Sequence, residues 1–263
     1  GNIEVRKVLS DNPVRYKDAG IQGIREILKI RDGDPIPKGL ISSIRMGTTV
    51  GTNALLERKG QRTALITTKG FKDILRIGYQ NRPDLFSLKI ELPELLYDHV
   101  EEVDERILAD GTVERGLDEI EASFILDKLR SKGFHSISIV LMNSYRYPSH
   151  EKMVRDLASR KGFEQISTSH EASPLIKIVG RGDTTVVDAY LSPILLSYIK
   201  GLKNELGPDN QDIDLLFMQS SGGLVDHSSF KGKDCILSGP AGGIIGAVGT
   251  SVSEGFENII TFD

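Results

Sequence analysis

The sequence predicts an α/β fold in which parallel strands alternate with helices. Short apolar runs bounded by turn residues, such as 63–67 and 136–142, are typical of strands that are covered on both faces. Helical patterns lie between these runs, and this alternation favours crossover units and a largely parallel sheet. Strands are predicted at 63–67, 136–142, 213–218 and 259–262, and helices at 20–29, 118–132, 149–161, 184–206 and 239–248.

The region between the predicted strands 63–67 and 136–142 is interrupted by turn signals and prolines. The helix predicted at 118–132 ends with Lys132 and Gly133, a basic last turn followed by a C-terminal glycine. Upstream, alternating residues and the turn at Asp110-Gly111 predict a hairpin near 100–116. We expect this hairpin to belong to an inserted α+β subdomain near residues 80–116.

Composition and net charge indicate which kinds of partner to expect. The 263 residues are 39% hydrophobic and 27% charged with a net charge of −4, so no nucleic-acid or membrane-surface partner is indicated. A small ligand or a protein partner is favoured. Cys235 is the sole cysteine, which excludes an internal disulfide and fits a reducing compartment, so we expect the cytoplasm.

A loop rich in glycine and hydroxyl groups runs into a short amphipathic helix. It reads GTTVGTNALLERKG from Gly47 to Gly60 and contains Thr48, Thr49 and Asn53. Such a loop could hold an anion, and it is equally consistent with a tight turn and a helix cap. The residues alone leave both interpretations open.

The helix predicted from Gly239 starts within the segment LSGPAGGIIGA, which runs from Leu237 to Ala247. Ser238 is expected to cap it, and Pro240 suits its first turn. Each glycine costs a helix up to about 1 kcal/mol relative to alanine, so Gly242 and Gly243 are expected where another backbone or a ligand comes close. Close helix packing, ligand contact and a hinge remain open alternatives.

Other polar residues have both functional and structural interpretations. Arg181, between two glycines, could clamp a carboxylate or phosphate, but a surface arginine is commoner. His170-Glu171 is either an acid/base pair or a solvated pair, Glu151 suits the first turn of a helix, and Asp183 suits a helix cap. The five histidines never fall within four residues of one another, so no zinc spacing is visible.

The polar loop at Ser220, Gly222 and Gly223 follows a predicted strand, the position where open α/β sheets bind ligands. With Ser43–Gly60, Gln80–Phe86, Glu102–Ile107, Ser149–Glu151 and Leu237–Ala247, it forms an ordered set of motifs. This set resembles the hydantoinase/oxoprolinase family along virtually the whole chain. Segments 9–28 and 178–193 are most similar to its oxoprolinase branch.

The resemblance implies a ribonuclease-H-like lobe of the actin, sugar-kinase and heat-shock-chaperone ATPases. It divides the chain into an N-terminal region, 1–190, and the start of a core domain, 191–263. The nucleotide or substrate cleft would include Gly47, Thr48, Thr49, Asn53, Ser220, Gly222, Gly223, Ser238, Gly239 and Asp263. Gly242 and Gly243 would form a hinge in a connecting helix.

The same resemblance implies ATP-dependent opening of a small cyclic amide, 5-oxo-L-proline, to L-glutamate. Asp263 would hold Mg²⁺ at the start of a phosphate-binding hairpin, and K⁺ is a further possible cofactor. That hairpin would be the second of two, and the first would precede Asn2. Because the chain holds only Asp263 of these two hairpins, we expect it to be inactive alone. Implied partners are a C-terminal part or a hydantoinase B-like half, and a homo-oligomer is possible.

Two alternatives remain open. The first is another enzyme of the family, an ATP-dependent hydantoinase or a ketone carboxylase subunit. The second is a non-catalytic module that binds partners without turnover.

Overall fold

The computed structural model describes residues 3–10, 12, 14–80, 86 and 88–261. The chain divides into two compact units. We call the first the terminal unit, made of Gly1–Val50, Leu195–Phe230 and Leu237–Asp263. The second, the central unit, is made of Gly51–Ile194 and Lys231–Ile236.

The central unit contains a four-stranded parallel sheet. Its middle strands, β2 (Thr63–Thr68) and β6 (Ser136–Val140), are buried at every residue, as expected for strands covered on both faces. The edges are β3 (His99–Val103), beside β2, and β7 (Gln165–Thr168), beside β6. The prediction of an α/β fold with parallel strands is therefore confirmed.

Helices cover both faces of this sheet. On one face, Leu126 of α4 (Glu119–Ser131) and Val154 of α5 (Ser149–Arg160) pack in one core cluster with Ile137. On the other face, Leu65 packs with residues of α3 and α7. The remaining helices of this unit are α2 (Val50–Leu56), α3 (Ile74–Ile77), α6 (Ser169–Ala172), the first part of α7 (Ile178–Leu206) and a 3₁₀ turn, Gly232–Asp234.

The predicted hairpin is present but shorter than expected. It consists of β4 (Arg106–Ile107) and β5 (Val113–Arg115), which pair antiparallel, and Gly111 turns with a φ of +94°. Residues His99–Val103, the start of the predicted hairpin region, pair instead with β2 in the parallel sheet. The inserted subdomain near 80–116 stays a prediction, and residues 81–85 and 87 lie outside the described residues.

The terminal unit has a three-stranded mixed sheet. β1 (Ser43–Met46) pairs parallel with β8 (Asp214–Met218), which pairs antiparallel with β9 (Leu224–Asp226). Its helices are α1 (Ala19–Leu28), the end of α7, the 3₁₀ turn Pro208–Asn210 and α8 (Ser238–Ser253).

One predicted helix boundary and one predicted strand are wrong. α7 begins at Ile178 rather than 184, so Asp183 lies inside the helix and does not cap it. Residues 259–261 form no strand, because a strand requires a paired neighbour and none is present in the part of the chain that the structure describes; Phe262 lies outside it. None of the described helices is long and apolar enough to cross a membrane.

Candidate functional site

The carboxyl ends of β1 and β8 bring two predicted motifs together in the terminal unit. The strands run parallel with Met46 opposite Phe217, so the loops that follow them leave the same edge of the sheet. Gly47, Thr48 and Thr49 follow β1, and the turn that contains Ser220, Gly222 and Gly223 follows β8. This edge is where α/β sheets bind ligands.

The start of α8 is attached to both loops. The backbone N–H of Leu237 donates to Ser220 Oγ at 3.0 Å, and Ser238 Oγ donates to the carbonyl oxygen of Thr48 at 2.8 Å. A Cβ added at Gly239 would lie 3.5 Å from Thr49 Cγ2, so the start of α8 also lies near the side chain of Thr49. The structure therefore brings three sequence motifs together at the N-terminal end of a helix.

Ser238 and Thr48 support this site from inside the protein. Ser238 is fully buried and Thr48 is 7% exposed, whereas Gly47, Thr49 and Gly223 are exposed. The predicted cap at Ser238 is wrong: Leu237 is the N-cap residue, and the Ser238 hydroxyl instead fixes the β1 loop. The exposed residues of this edge thus include Gly47, Gly223 and Thr49.

A cavity of about 260 Å³ is lined by two of these segments, the β8 loop and the start of α8. It has a hydroxyl-bearing loop on one side and an apolar helix on the other. The lining residues are Ser220, Ser221, Gly222, Leu237, Pro240, Ala241, Ile244 and Ile245.

The remaining site predictions fall elsewhere. Asn53 lies in α2 and belongs to the central unit, and Asp263 lies outside the described residues. A Cβ at Gly242 would lie 3.6 Å from Met218 Cγ, but one at Gly243 would have no neighbour within 4 Å. Within the described residues, Gly242 therefore has a side-chain neighbour at ordinary contact distance and Gly243 has none, and no other backbone comes close to either glycine.

The central unit contains a buried polar cluster that the sequence reading missed. At its centre is Arg181, which is 1% exposed and lies inside α7 rather than in a surface loop. Its guanidinium donates to Ser169 Oγ at 2.9 Å and to the carbonyl oxygens of Leu141, Leu175 and Ile176 at 2.9, 2.7 and 3.2 Å. Burial lowers the pKa of Arg181, and the charge of Glu151 opposes this shift.

The glycines beside Arg181 allow this burial. A Cβ at Gly182 would lie 2.6 Å from Leu75 Cδ2, and one at Gly180 would lie 3.2 Å from the Tyr79 hydroxyl. Gly180 and Gly182 therefore permit close packing of α7 against its neighbours. The sequence signal that could have revealed this is the apolar Ile178-Val179 pair, which extends the helical pattern upstream.

Glu151 joins the segments that follow β6 and β7. It is fully buried and accepts hydrogen bonds from the Leu141 N–H at 2.9 Å, Ser169 Oγ at 2.6 Å and the His170 N–H at 3.0 Å. Its Oε2 also lies 2.7 Å from His170 Nδ1. The expectation that Glu151 lies in the first turn of a helix is confirmed, although its side chain is buried. The expectation of a solvated His170-Glu171 pair is wrong, because His170 lies closer to buried Glu151 than to Glu171, whose Oε1 is 3.7 Å from Nε2.

The Glu102–Ile107 motif fixes the loop after β2. Glu102 Oε1 accepts from the N–H groups of Gly70, Phe71 and Lys72 at 2.7–3.1 Å. Buried Glu105 accepts a hydrogen bond from Thr68 Oγ1, and its Oε2 lies 2.7 Å from His150 Nδ1. The motif thus has a structural explanation within the central unit.

Comparison with known proteins supports the family resemblance that these motifs indicated. Sequence profiles of the hydantoinase/oxoprolinase N-terminal region and of hydantoinase/oxoprolinase match residues 1–162 and 181–263. The chain is 43% identical to 5-oxoprolinase 1 of Arabidopsis thaliana over 92% of its own length, but it spans only 21% of that relative.

Two solved structures have a similar fold. An ATP-dependent caprolactamase from Pseudomonas jessenii matches with a TM-score of 0.78 and 26% identity, covering 92% of this chain and 36% of that one. A nucleotide-free acetone carboxylase matches with a TM-score of 0.70 and 24% identity, covering 82% and 33%, which supports the fold alone. The two profile matches cover most of the chain, which therefore belongs to the hydantoinase/oxoprolinase family.

Proposed function

We propose that the chain is part of an ATP-dependent cyclic amide hydrolase that opens 5-oxo-L-proline to L-glutamate. The observation that carries this proposal is the convergence of the β1 loop, the β8 loop and the start of α8 at one sheet edge. The relative named 5-oxoprolinase and the caprolactamase structure support the substrate class, because the names of both describe action on a cyclic amide.

The residues at this edge fit the phosphates of ATP. Two exposed glycines and an exposed threonine lie there, and the sixteen-residue helix α8 starts there. Helix N-termini favour anions because their N–H groups and dipole point toward the ligand. When bound, ATP would supply the phosphoryl group that makes an unstrained amide easier to attack.

Within this proposal, each part of the chain keeps the role that the resemblance implies. Gly47, Thr49, Gly223 and Gly239 lie close to the phosphates or substrate, and Thr48 and Ser238 hold the loops in place. Residues 1–190 and 191–263 are two regions of an actin-like ATPase lobe, with Gly242-Gly243 as a hinge. The C-terminal part, a hydantoinase B-like half, K⁺ and a cytoplasmic location belong to the same proposal.

The function is tested by measuring phosphate release from ATP with protein expressed from the complete gene. We expect 5-oxoproline to stimulate release well above the rate with hydantoin or acetone. Stimulation by acetone would favour a ketone carboxylase, and no stimulation by any of the three would favour a non-catalytic module. The chain of 263 residues, assayed in parallel, is expected to release no phosphate.

Asp263 provides a second test. Carboxylates are preferred Mg²⁺ ligands, so Asp263→Ala should abolish 5-oxoproline-stimulated phosphate release in the complete protein and leave its thermal midpoint unchanged. Asp183→Ala, a carboxylate inside α7, serves as the control that should retain turnover. Normal turnover in Asp263→Ala would contradict the metal role.

A further inference from the structure

Thr48 in the β1 loop has hydrogen-bond partners besides Ser238. Its Oγ1 accepts from the Val50 N–H at 3.2 Å, and its carbonyl oxygen accepts from Ser238 at 2.8 Å. Its hydroxyl is also hydrogen-bonded to the hydroxyl of Tyr198, in the part of α7 that belongs to the terminal unit. Thr48 therefore links the β1 loop to α7 as well as to α8.

Asp18 fixes both Tyr198 and the start of α1. The Tyr198 hydroxyl donates to Asp18 Oδ2 at 3.0 Å, and Asp18 Oδ1 accepts the Ile21 N–H at 2.9 Å as the N-cap of α1. A Cβ at Gly20 would lie 3.1 Å from Asp18 Oδ1 and 3.2 Å from Met46 Cε, so the start of α1 lies near the end of β1. The two carboxylate oxygens of Asp18 thus have separate partners.

The hydroxyls of Thr48 and Tyr198 form a hydrogen-bonded chain with one direction. Burial raises the pKa of Tyr198, and the charge of Asp18 raises it further, so this phenol keeps its proton at neutral pH. Because that proton is donated to Asp18, the Thr48 hydroxyl is the donor to the Tyr198 oxygen. The Thr48 hydroxyl therefore accepts from Val50 and donates to Tyr198, and these two bonds fix its direction.

We propose that Tyr198 and Asp18 are positioning residues that hold the β1 loop in place for the phosphates of ATP. The inference rests on the proposed function, in which Gly47 and Thr49 lie close to those phosphates. Thr48 stands between these two residues, so a shift of Thr48 moves both. Tyr198 and Asp18 act through Thr48 and do not touch the ligand. Groups that bind a ligand depend on supporting residues for their position, so removal of the Tyr198 hydroxyl should weaken the binding of ATP.

The first test is Tyr198→Phe in the complete protein, which removes the hydroxyl and keeps the ring. We expect the KM for ATP in 5-oxoproline-stimulated phosphate release to rise about three- to tenfold, the equivalent of one lost hydrogen bond, with kcat within about twofold. Tyr16→Phe is the matched control, because the Tyr16 hydroxyl donates to the carbonyl oxygen of Leu9, and it should leave the KM within about twofold. A lower thermal midpoint with an unchanged KM in Tyr198→Phe would overturn the proposal and indicate a purely structural role.

The second test, Asp18→Asn, separates the two contacts of Asp18. Asparagine caps a helix about as well as aspartate, but its single side-chain oxygen leaves the Tyr198 hydroxyl without its acceptor. We expect the KM for ATP to rise as in Tyr198→Phe, with no further rise in the double variant, because the two residues act as one unit. Asp118→Asn changes the N-cap of α4 and is the control that should leave the KM within about twofold. Additive effects, or an unchanged KM in Asp18→Asn, would overturn the proposal.

Failure of this inference differs from failure of the proposed function. Stimulated phosphate release with an unchanged KM in Tyr198→Phe would remove the positioning role and leave the function intact. Absence of stimulated release in the unmodified protein would overturn the function, and the hold on the loop is then read from hydrogen exchange of the complete protein by mass spectrometry. The peptide that contains the Val50 N–H should exchange faster in Tyr198→Phe than in Tyr16→Phe, and equal exchange in the two variants would overturn the role of Tyr198.

Discussion

The two units treat the carboxyl edge of a parallel strand pair in opposite ways. In the central unit, the edge is filled by the protein's own charged groups: Arg181, Glu151 and Glu105 are each at most 2% exposed and hydrogen-bonded. In the terminal unit, Gly47 and Thr49 at the edge are exposed, and the loop after β8 lines a cavity. A filled edge contributes to stability, whereas an open edge is available to a ligand.

Individual glycines differ in the space around them. In the central unit, a Cβ at Gly60 would overlap the Tyr190 ring, and one at Gly232 would lie 2.6 Å from the Ser192 nitrogen. In α8, Cβ atoms at Gly243 and Gly246 would find no neighbour within 4 Å. The same residue type therefore allows dense packing at Gly60 and Gly232 and leaves space in α8.

The largest expected effect comes from breaking the filled edge. Arg181→Met removes the cation near buried Glu151 and should lower the free energy of unfolding by about 3–5 kcal/mol. Urea denaturation measures the change. Arg155→Met is the control, because Arg155 pairs with Glu171 at a partly exposed position and should cost about 1 kcal/mol or less.

A double variant distinguishes charge from packing at this cluster. If the uncompensated Glu151 charge causes the loss, Arg181→Met combined with Glu151→Gln should be less destabilised than the sum of the two single variants. Strict additivity would show that Arg181 acts through packing and its carbonyl contacts alone. A loss of less than about 1 kcal/mol in Arg181→Met would contradict the importance of the cluster.

An intermediate effect is expected at Gly232. Gly232→Ala places a methyl group against the Ser192 backbone, which cannot move as freely as a side chain, and should cost about 1–3 kcal/mol. Thermal and urea unfolding measure the loss. Gly201→Ala is the matched control, since its Cβ would meet nothing within 4 Å inside α7, and stability should rise by up to about 1 kcal/mol. Equal effects at the two sites would break the comparison between packed and open glycines.

The smallest stability change is expected in α8. Replacing Gly242 and Gly243 by alanine fits the described surroundings and should raise stability by up to about 1 kcal/mol per site. If the helix is a hinge, 5-oxoproline-stimulated phosphate release by the complete protein should nevertheless fall. Normal turnover would contradict the hinge, and early unfolding would indicate packing that the described residues do not contain. Gly246→Ala controls for helix propensity alone.

Local patterns predicted the helices and central strands well. α4 begins after Asp118, whose Oδ1 accepts the Ile120 N–H at 2.8 Å, and ends before Lys132, as the sequence indicated. Buried strands β2 and β6 follow from their apolar runs. These patterns involve residues that are close together in the sequence, so one sequence is enough to predict the elements.

The polar cluster was not predictable in the same way. Arg181 is buried because Ser169 and the Leu141 carbonyl, distant in sequence, satisfy its donors. The candidate site was reached through the family resemblance, which placed the motifs in one cleft, but the role of Ser238 depended on the position of the Thr48 carbonyl. Such partners follow from tertiary structure, and spacing alone does not identify them.

The pairing of β1 with β8 also has a consequence for the order of folding during synthesis. Ser43 pairs with Asp214, so the sheet of the terminal unit cannot close until β8 has been synthesised. The strands of the central unit all lie within Gly51–Ile194 and are complete much earlier. Contacts between distant residues form slowly because they close large loops. The parallel sheet of the central unit can therefore form while the carboxyl half of the terminal unit's sheet is still being made.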